Sequence, residues 1–234
     1  METFTAVTTT MTDASLVQLM TLLSPVFPVG GFAYSGGLET ACGGSDVAIG
    51  SKADLKSWIE TSLKSGWLRN DAILLAAAHR CEPEPGNNIA LAEINDLALA
   101  LSGSAERYEE TINLGLAFVQ AAQPWIQDSK RELPDPCAYA VAIGAVTCQM
   151  QLTVEQVSLA FLQAAVSNQL QAALRLMSLG QQAAVSLQHE LESAVQLAAQ
   201  SGACSQLDDL GTCAVTMDLA AMNHETLKSR IFRS

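Results

Sequence analysis

Apolar residues recur at helical spacing along nearly the whole chain, and nowhere does a strand-length alternation flank a hairpin turn. Leu16, Val17, Leu19, Met20, Leu22 and Leu23 follow Asp13, read as an N-cap, and Ser24-Pro25 stops the run. Ser51 to Asp54 has the form of a capping box, with Leu55, Trp58, Ile59 and Leu63 on one face and Gly66 at the end. Further helices are predicted over 70–80, 89–101, 104–122, 137–149, 153–179, 181–199 and 212–223, the fifth of these opened by Thr153-Val-Glu-Gln156 and closed at Gly180. The expected fold is all-α: a compact single-domain bundle of about eight to ten helices over residues 13–223. With 49% hydrophobic but only 5% aromatic residues, its core is built from Ala, Leu and Val.

Between the elements, 82–86 (Glu-Pro-Glu-Pro-Gly) reads as a surface loop and 130–136 as the most polar connector, too closely flanked by apolar sequence to separate two domains. Residues 1–12 lack the basic and apolar regions of a signal peptide and are expected to be a disordered lead-in. Two stretches without charge, 136–154 and 156–174, raise the question of membrane insertion. Gln149, Gln151, Gln163, Asn168, Gln169 and Gln171 answer it, because so many amides suit a core helix that pairs them internally. A soluble, cytoplasmic protein is expected.

A net charge of −12 leaves no basic face for a nucleic-acid backbone, so partners are expected to be proteins. The six cysteines form no C-x-x-C pair and are read as buried, reduced thiols. Ala33 to Gly37 falls short of a G-x-S-x-G nucleophile elbow and follows a helix rather than a strand. Gly44 to Lys52 has the wrong glycine spacing for a phosphate loop. His79, His189 and His224 make no paired ligand set, and 189–192 reads as a solvated helix face. No catalytic residue, metal ligand or cofactor is expected.

Two blocks stand out instead. The first runs from Pro28 through Gly30, Gly31, Tyr34 and Ser35 to Glu39, its glycines and proline choosing backbone shape around one aromatic hydroxyl. The second is the terminal run His224, Glu225, Thr226, Leu227, Lys228, Ser229, Arg230, Ile231, Phe232, Arg233, Ser234. It holds three basic residues against one acid, whereas the rest of the chain has nine against 23. Such a tail can fold back onto the acidic body or reach a partner.

Together the blocks resemble the UreF family of urease accessory proteins, which read S-P-x-x-P-V-G-G-[FY]-x-Y-S-x-G-L-E early and H-E-T-x-x-S-R-[LI]-F-R-S at the end. The resemblance continues at Ser104, Glu106, Arg107, Thr111 and Gly115, and at Asn168, Gln169, Ala172, Ala173 and Gly180. Asn223 and Lys228 depart from the family's usual basic and aromatic residues. The resemblance implies a non-catalytic, dimerising adaptor or chaperone. It would work with a UreD/UreH-type protein and a UreG-type GTPase, regulating or scaffolding the latter, in nickel insertion into apo-urease. Pro28, Gly30, Gly31, Tyr34 and Ser35 are the expected partner surface of the early block, with Tyr34 as anchor; buried backbone packing of the glycines is the equal alternative. In the tail, His224, Glu225, Ser229, Arg230, Ile231, Phe232, Arg233 and Ser234 are expected to be mobile or loosely docked until the UreD-type partner binds. A stand-alone enzyme and a generic helical interaction protein remain the alternatives.

Overall fold

Hydroxyl caps start the principal helices. Ser51 Oγ accepts from Asp54 N while Asp54 returns a carboxylate oxygen to Ser51 N, and Thr153 and Gln156 repeat the exchange. The computed structural model describes residues 12–44, 48–81, 89–126 and 131–234. In chain order the helices are α1 (Asp13–Leu22), α2 (Leu38–Cys42), α3 (Lys52–Ser65), α4 (Trp67–Arg80), α5 (Ile89–Ala100), α6 (Ala105–Ala121), α7 (Gln123–Ile126), α8 (Tyr139–Thr147), α9 (Val154–Leu176), α10 (Gln181–Glu190), α11 (Glu192–Cys204) and α12 (Val215–His224). Ten of them have nine residues or more, and the described residues contain no strand, so the expected all-α bundle is the fold observed.

The uncharged stretch after Pro136 becomes the middle of the molecule. Every residue of α8 from Ala140 to Thr147 is buried, with α4, α6 and α5 packed around it. A helix enclosed on all sides needs no polar face, which explains its composition without a bilayer. Among the described residues no helix is long and apolar enough to cross a membrane. Backbones approach closely here: a Cβ on Gly144 would overlap Leu75 O of α4. Around this pair, α9 runs along α11, α4 and α2, and α3 buries Leu55, Trp58, Ile59 and Leu63 as its spacing predicts.

Several boundaries differ from expectation. Thr12, not Asp13, caps α1: its Oγ1 accepts from Ser15 N at 3.1 Å, and Asp13 places its charge in the first turn. Helix α4 begins immediately at Trp67, and Pro124 sits inside the short α7, early enough in the helix that its missing N–H breaks no bond. The single helix expected over 181–199 is two. The chain bends at fully buried Leu191, so that α10 lies on α9 and α3 while Val195, Ala199 and Gly202 of α11 stay against α9 and α4. Only Cys137 is buried among the cysteines, and Cys204 and Cys213 are exposed, so the expectation of six buried thiols is corrected. Of the lead-in expected over 1–12, only Thr12 is described, as the α1 cap, and the loop over 82–86 lies outside the described residues.

Candidate functional site

The early block is a loop that folds between α1 and α2 by alternating inward and outward residues. Phe27 anchors its start, with its ring 5.6 Å from Phe118 and 6.2 Å from Trp125. Gly30 enters the left-handed region at φ 78° and starts a single 3-10 turn over Gly31–Ala33. Tyr34 and Ser35 then point inward and are buried, while Pro28 is exposed and Phe32 is 74% exposed. At Gly37, φ is 83° and an added Cβ would lie 2.9 Å from Ala221 N of α12. Glycine alone permits both the turn and that approach.

Helix α9 holds the loop through the amides that argued against a membrane span. Asn168 Nδ2 donates to Gly31 O at 2.9 Å, Gln169 Nε2 to Ser35 O at 2.9 Å, and Arg175 Nη1 to Phe32 O at 3.1 Å. Gly31 O and Ser35 O also accept the loop's own Tyr34 N and Leu38 N, so α9 reinforces turns that the loop already makes.

The tail lies across this loop. Arg233 N donates to Ala33 O at 2.8 Å, Ser35 N donates to Ser234 O at 2.8 Å, and Ser35 Oγ reaches the same oxygen. Glu39 accepts from Ile231 N at 2.7 Å and from Phe232 N at 2.9 Å. His224, the last residue of α12, is wholly buried between two carboxylates, with Nε2 3.0 Å from Glu39 Oε2 and Nδ1 2.6 Å from Glu106 Oε2. A neutral imidazole donates through one nitrogen only, so the ring carrying both protons is the form that satisfies both contacts. Arg230 pairs with the other Glu106 oxygen. Ser234 Oγ donates to Glu110 Oε2 at 2.9 Å, and Phe232 is 4% exposed beneath the Arg175 guanidinium, 4.2 Å from its ring centre.

A mobile or loosely docked tail is therefore not what the structure shows. The expectation weighed the entropy of ordering eleven residues against partners supplied from outside. Glu39, Glu106, Glu110, Ser35 and Arg175 supply those partners from within the chain. The remaining tail residues sort plainly: Glu225 accepts Ala105 N at 2.8 Å at the start of α6, and Ser229, Ile231 and Arg233 are exposed, Ile231 at 56%. Tyr34, expected as the anchor of the surface, is buried, and Phe32 is the exposed aromatic of the block.

Beneath the tail lies a cavity of ≈ 80 Å³ bordered by Trp67, Asp71, Arg107, Glu110 and Ser234. Arg107 sits between Asp71, at 2.5 Å, and Glu110, at 3.2 Å, with its guanidinium 4.4 Å from the centre of the Trp67 ring. Burial pushes both the Asp71 and the Glu110 carboxyls up, with Arg107 opposing. Glu39 shows the reverse outcome: burial raises it, but His224 and the two tail amides together hold it below its ordinary 4.5.

His189 is exposed beside Glu192, the solvated face that was expected, and burial with Arg131 and Arg80 pushes His79 down to about 4. Among the described residues, no group of three His, Cys, Asp or Glu side chains is arranged to hold a metal ion. What the site offers is a fixed surface made from four separated stretches of sequence.

A family model described as UreF matches residues 49–192. The chain is 43% identical over 224 residues to the urease accessory protein UreF of Allorhizobium ampelinum, covering 94% of this chain and 96% of that one. It is 44% identical over 220 residues to that of Rhizobium etli, at 94% and 96% coverage, and 45% over 221 residues to that of Agrobacterium fabrum, at 94% and 97%. The chain belongs to the UreF family of urease accessory proteins.

The UreF blocks recognised in the sequence thus meet in space: the early loop, the start of α6, the end of α9 and the tail enclose one another. Glu39, Glu106, Glu110 and Arg175, which knit them together, were not among the candidate residues. Their signal lay in the charge segregation, since a basic tail on an acidic chain has ready partners in its own body.

Proposed function

We propose that this protein is an accessory factor in urease maturation, a non-catalytic adaptor that takes part in nickel insertion into apo-urease. It acts with a UreD/UreH-type protein and a UreG-type GTPase, as a homodimer that scaffolds or regulates the GTPase. Family membership over nearly the full length supports the role. The observation that carries the adaptor reading is the composite surface of loop and tail. Arg233 N on Ala33 O ties the tail to the loop, and the joined segments leave Phe32 of the loop and Ile231 and Arg233 of the tail exposed. Exposed aromatic, aliphatic and arginine side chains on segments fixed by backbone bonds are the residue types that anchor protein interfaces.

The deciding experiment is reconstitution. The purified protein is combined with the UreD-type and UreG-type proteins and apo-urease, and complex formation is read by size-exclusion chromatography with light scattering, activation by urea hydrolysis. Assembly and activation that require this chain support the proposal. A stable helical protein that joins neither partner would leave a generic interaction module unrelated to urease.

A further inference from the structure

One carboxylate holds the tail at its most buried turn. Glu39 receives three donors at once: Ile231 N, Phe232 N and His224 Nε2. A protonated carboxyl keeps one oxygen free of hydrogen and gains a hydroxyl that needs an acceptor of its own, so it cannot serve all three. The loop depends on the same turn, because the Ser35 N–H finds its partner in Ser234 and the Ala33 carbonyl in Arg233. The structure assigns to Glu39 a proton-sensitive latch: its protonation frees residues 230–234, leaves the Ser35 turn without its main-chain partner, and leaves the helical body folded.

The neighbouring charged groups fit this order of events. On α6, Glu106 shares His224 with Glu39 and holds Arg230, and Glu110 receives the Ser234 hydroxyl. Arg107 on α6 and Asp71 on α4 lie beneath, and Arg175 on α9 covers Phe232. Burial has pushed Glu110 above 4.5 while Glu39 is held below it, so acid neutralises Glu110 before Glu39, and a protonated Glu110 still has an oxygen for Ser234. Release therefore follows Glu39. The latch needs no partner protein, so it stands or falls separately from the adaptor role.

Nitrogen-15 NMR of the full-length protein, titrated from about pH 7 down to about pH 2, well past the ordinary glutamate value because Glu39 is held below it, tests it. The amides of Ser35, Ile231, Phe232 and Arg233 are expected to leave their docked positions with one shared midpoint. Below it the docked fraction falls about tenfold per pH unit, while the α8 amides of Val141 and Ile143 stay unchanged. Glu39→Gln is expected to show a free tail at neutral pH and no midpoint. Should that variant fail to fold, Glu39→Asp, with a shorter reach to both amides, must move the midpoint to higher pH. Tail amides that persist until α8 itself unfolds, a Ser35 amide that ignores tail release, or an unshifted midpoint in either variant would overturn the latch.

Discussion

His224 Nε2 meets Glu39 Oε2 at 3.0 Å across 185 residues of chain, joining the end of α12 to the start of α2. With Glu106 on the other nitrogen, the imidazole is a buried bridge between two acids. Removing it leaves two carboxylates facing each other, at a cost of about 1 to 3 kcal/mol. His224→Ala should therefore lower Tm by about 2 to 4 °C for each kcal/mol lost in a chain of this size. Combined with Glu39→Gln, the two losses should be strongly non-additive in a double-mutant cycle monitored by thermal unfolding. Additive losses would mean that the contact carries no shared energy.

Arg107 is drawn between Asp71 and Glu110, and both acids are pushed up by burial. Each binds its proton more tightly in the folded protein than in the unfolded chain. Their contribution is fully present below the ordinary values of 3.8 and 4.5 and is lost as pH rises through the raised ones. Arg107→Met strips the opposing charge and should cost about 3 to 5 kcal/mol at neutral pH. The deficit against wild type should shrink as pH falls towards 5, because neutral carboxyls miss the arginine less. Denaturant unfolding at several pH values checks this, and a deficit that grew towards acid would contradict it.

Two loop glycines separate backbone shape from space. Gly30 and Gly37 both have positive φ, but nothing lies within 4 Å of a Cβ at Gly30, whereas at Gly37 it would press on Ala221 N. Gly30→Ala should cost about 1 to 2 kcal/mol, the left-handed penalty alone. Gly37→Ala adds a clash with the backbone of α12, typically a further 1 to 3 kcal/mol, roughly the cost of overpacking. Equal melting temperatures for the two variants would argue against the close approach of loop and α12.

The helices were legible because their signals are local. Ser51 and Thr153 announce their caps within three residues, and the α3 face repeats at fixed spacing. The bend at Leu191 was not, since no glycine or proline marks it and only the contacts of α11 with α9 and α4 require it. At the site, the identity of the blocks could be read but their mutual arrangement could not. Nothing near Glu39 says that its carboxylate caps amides 192 and 193 positions away. Tyr34 and Phe32 stand two residues apart in one glycine-rich loop, and which of them faces water is decided by the turn between Gly30 and Ala33.

That distinction separates packing from recognition. Tyr34 is 5% exposed and Phe32 74%. Tyr34→Ala opens a cavity and should destabilise the protein by about 3 to 5 kcal/mol, as aromatic truncations in cores do, with any loss of complex following from the damaged fold. Phe32→Ala and Ile231→Ala remove side chains that already face solvent, so both should leave Tm nearly unchanged. If the UreD-type partner covers these two groups, each truncation forfeits about 2 kcal/mol of apolar burial, or roughly thirtyfold in affinity. Titration calorimetry against that partner, with circular dichroism melts of the same variants, separates the two effects. A Phe32→Ala/Ile231→Ala double variant that keeps both its Tm and its affinity would place the partner surface elsewhere on the molecule.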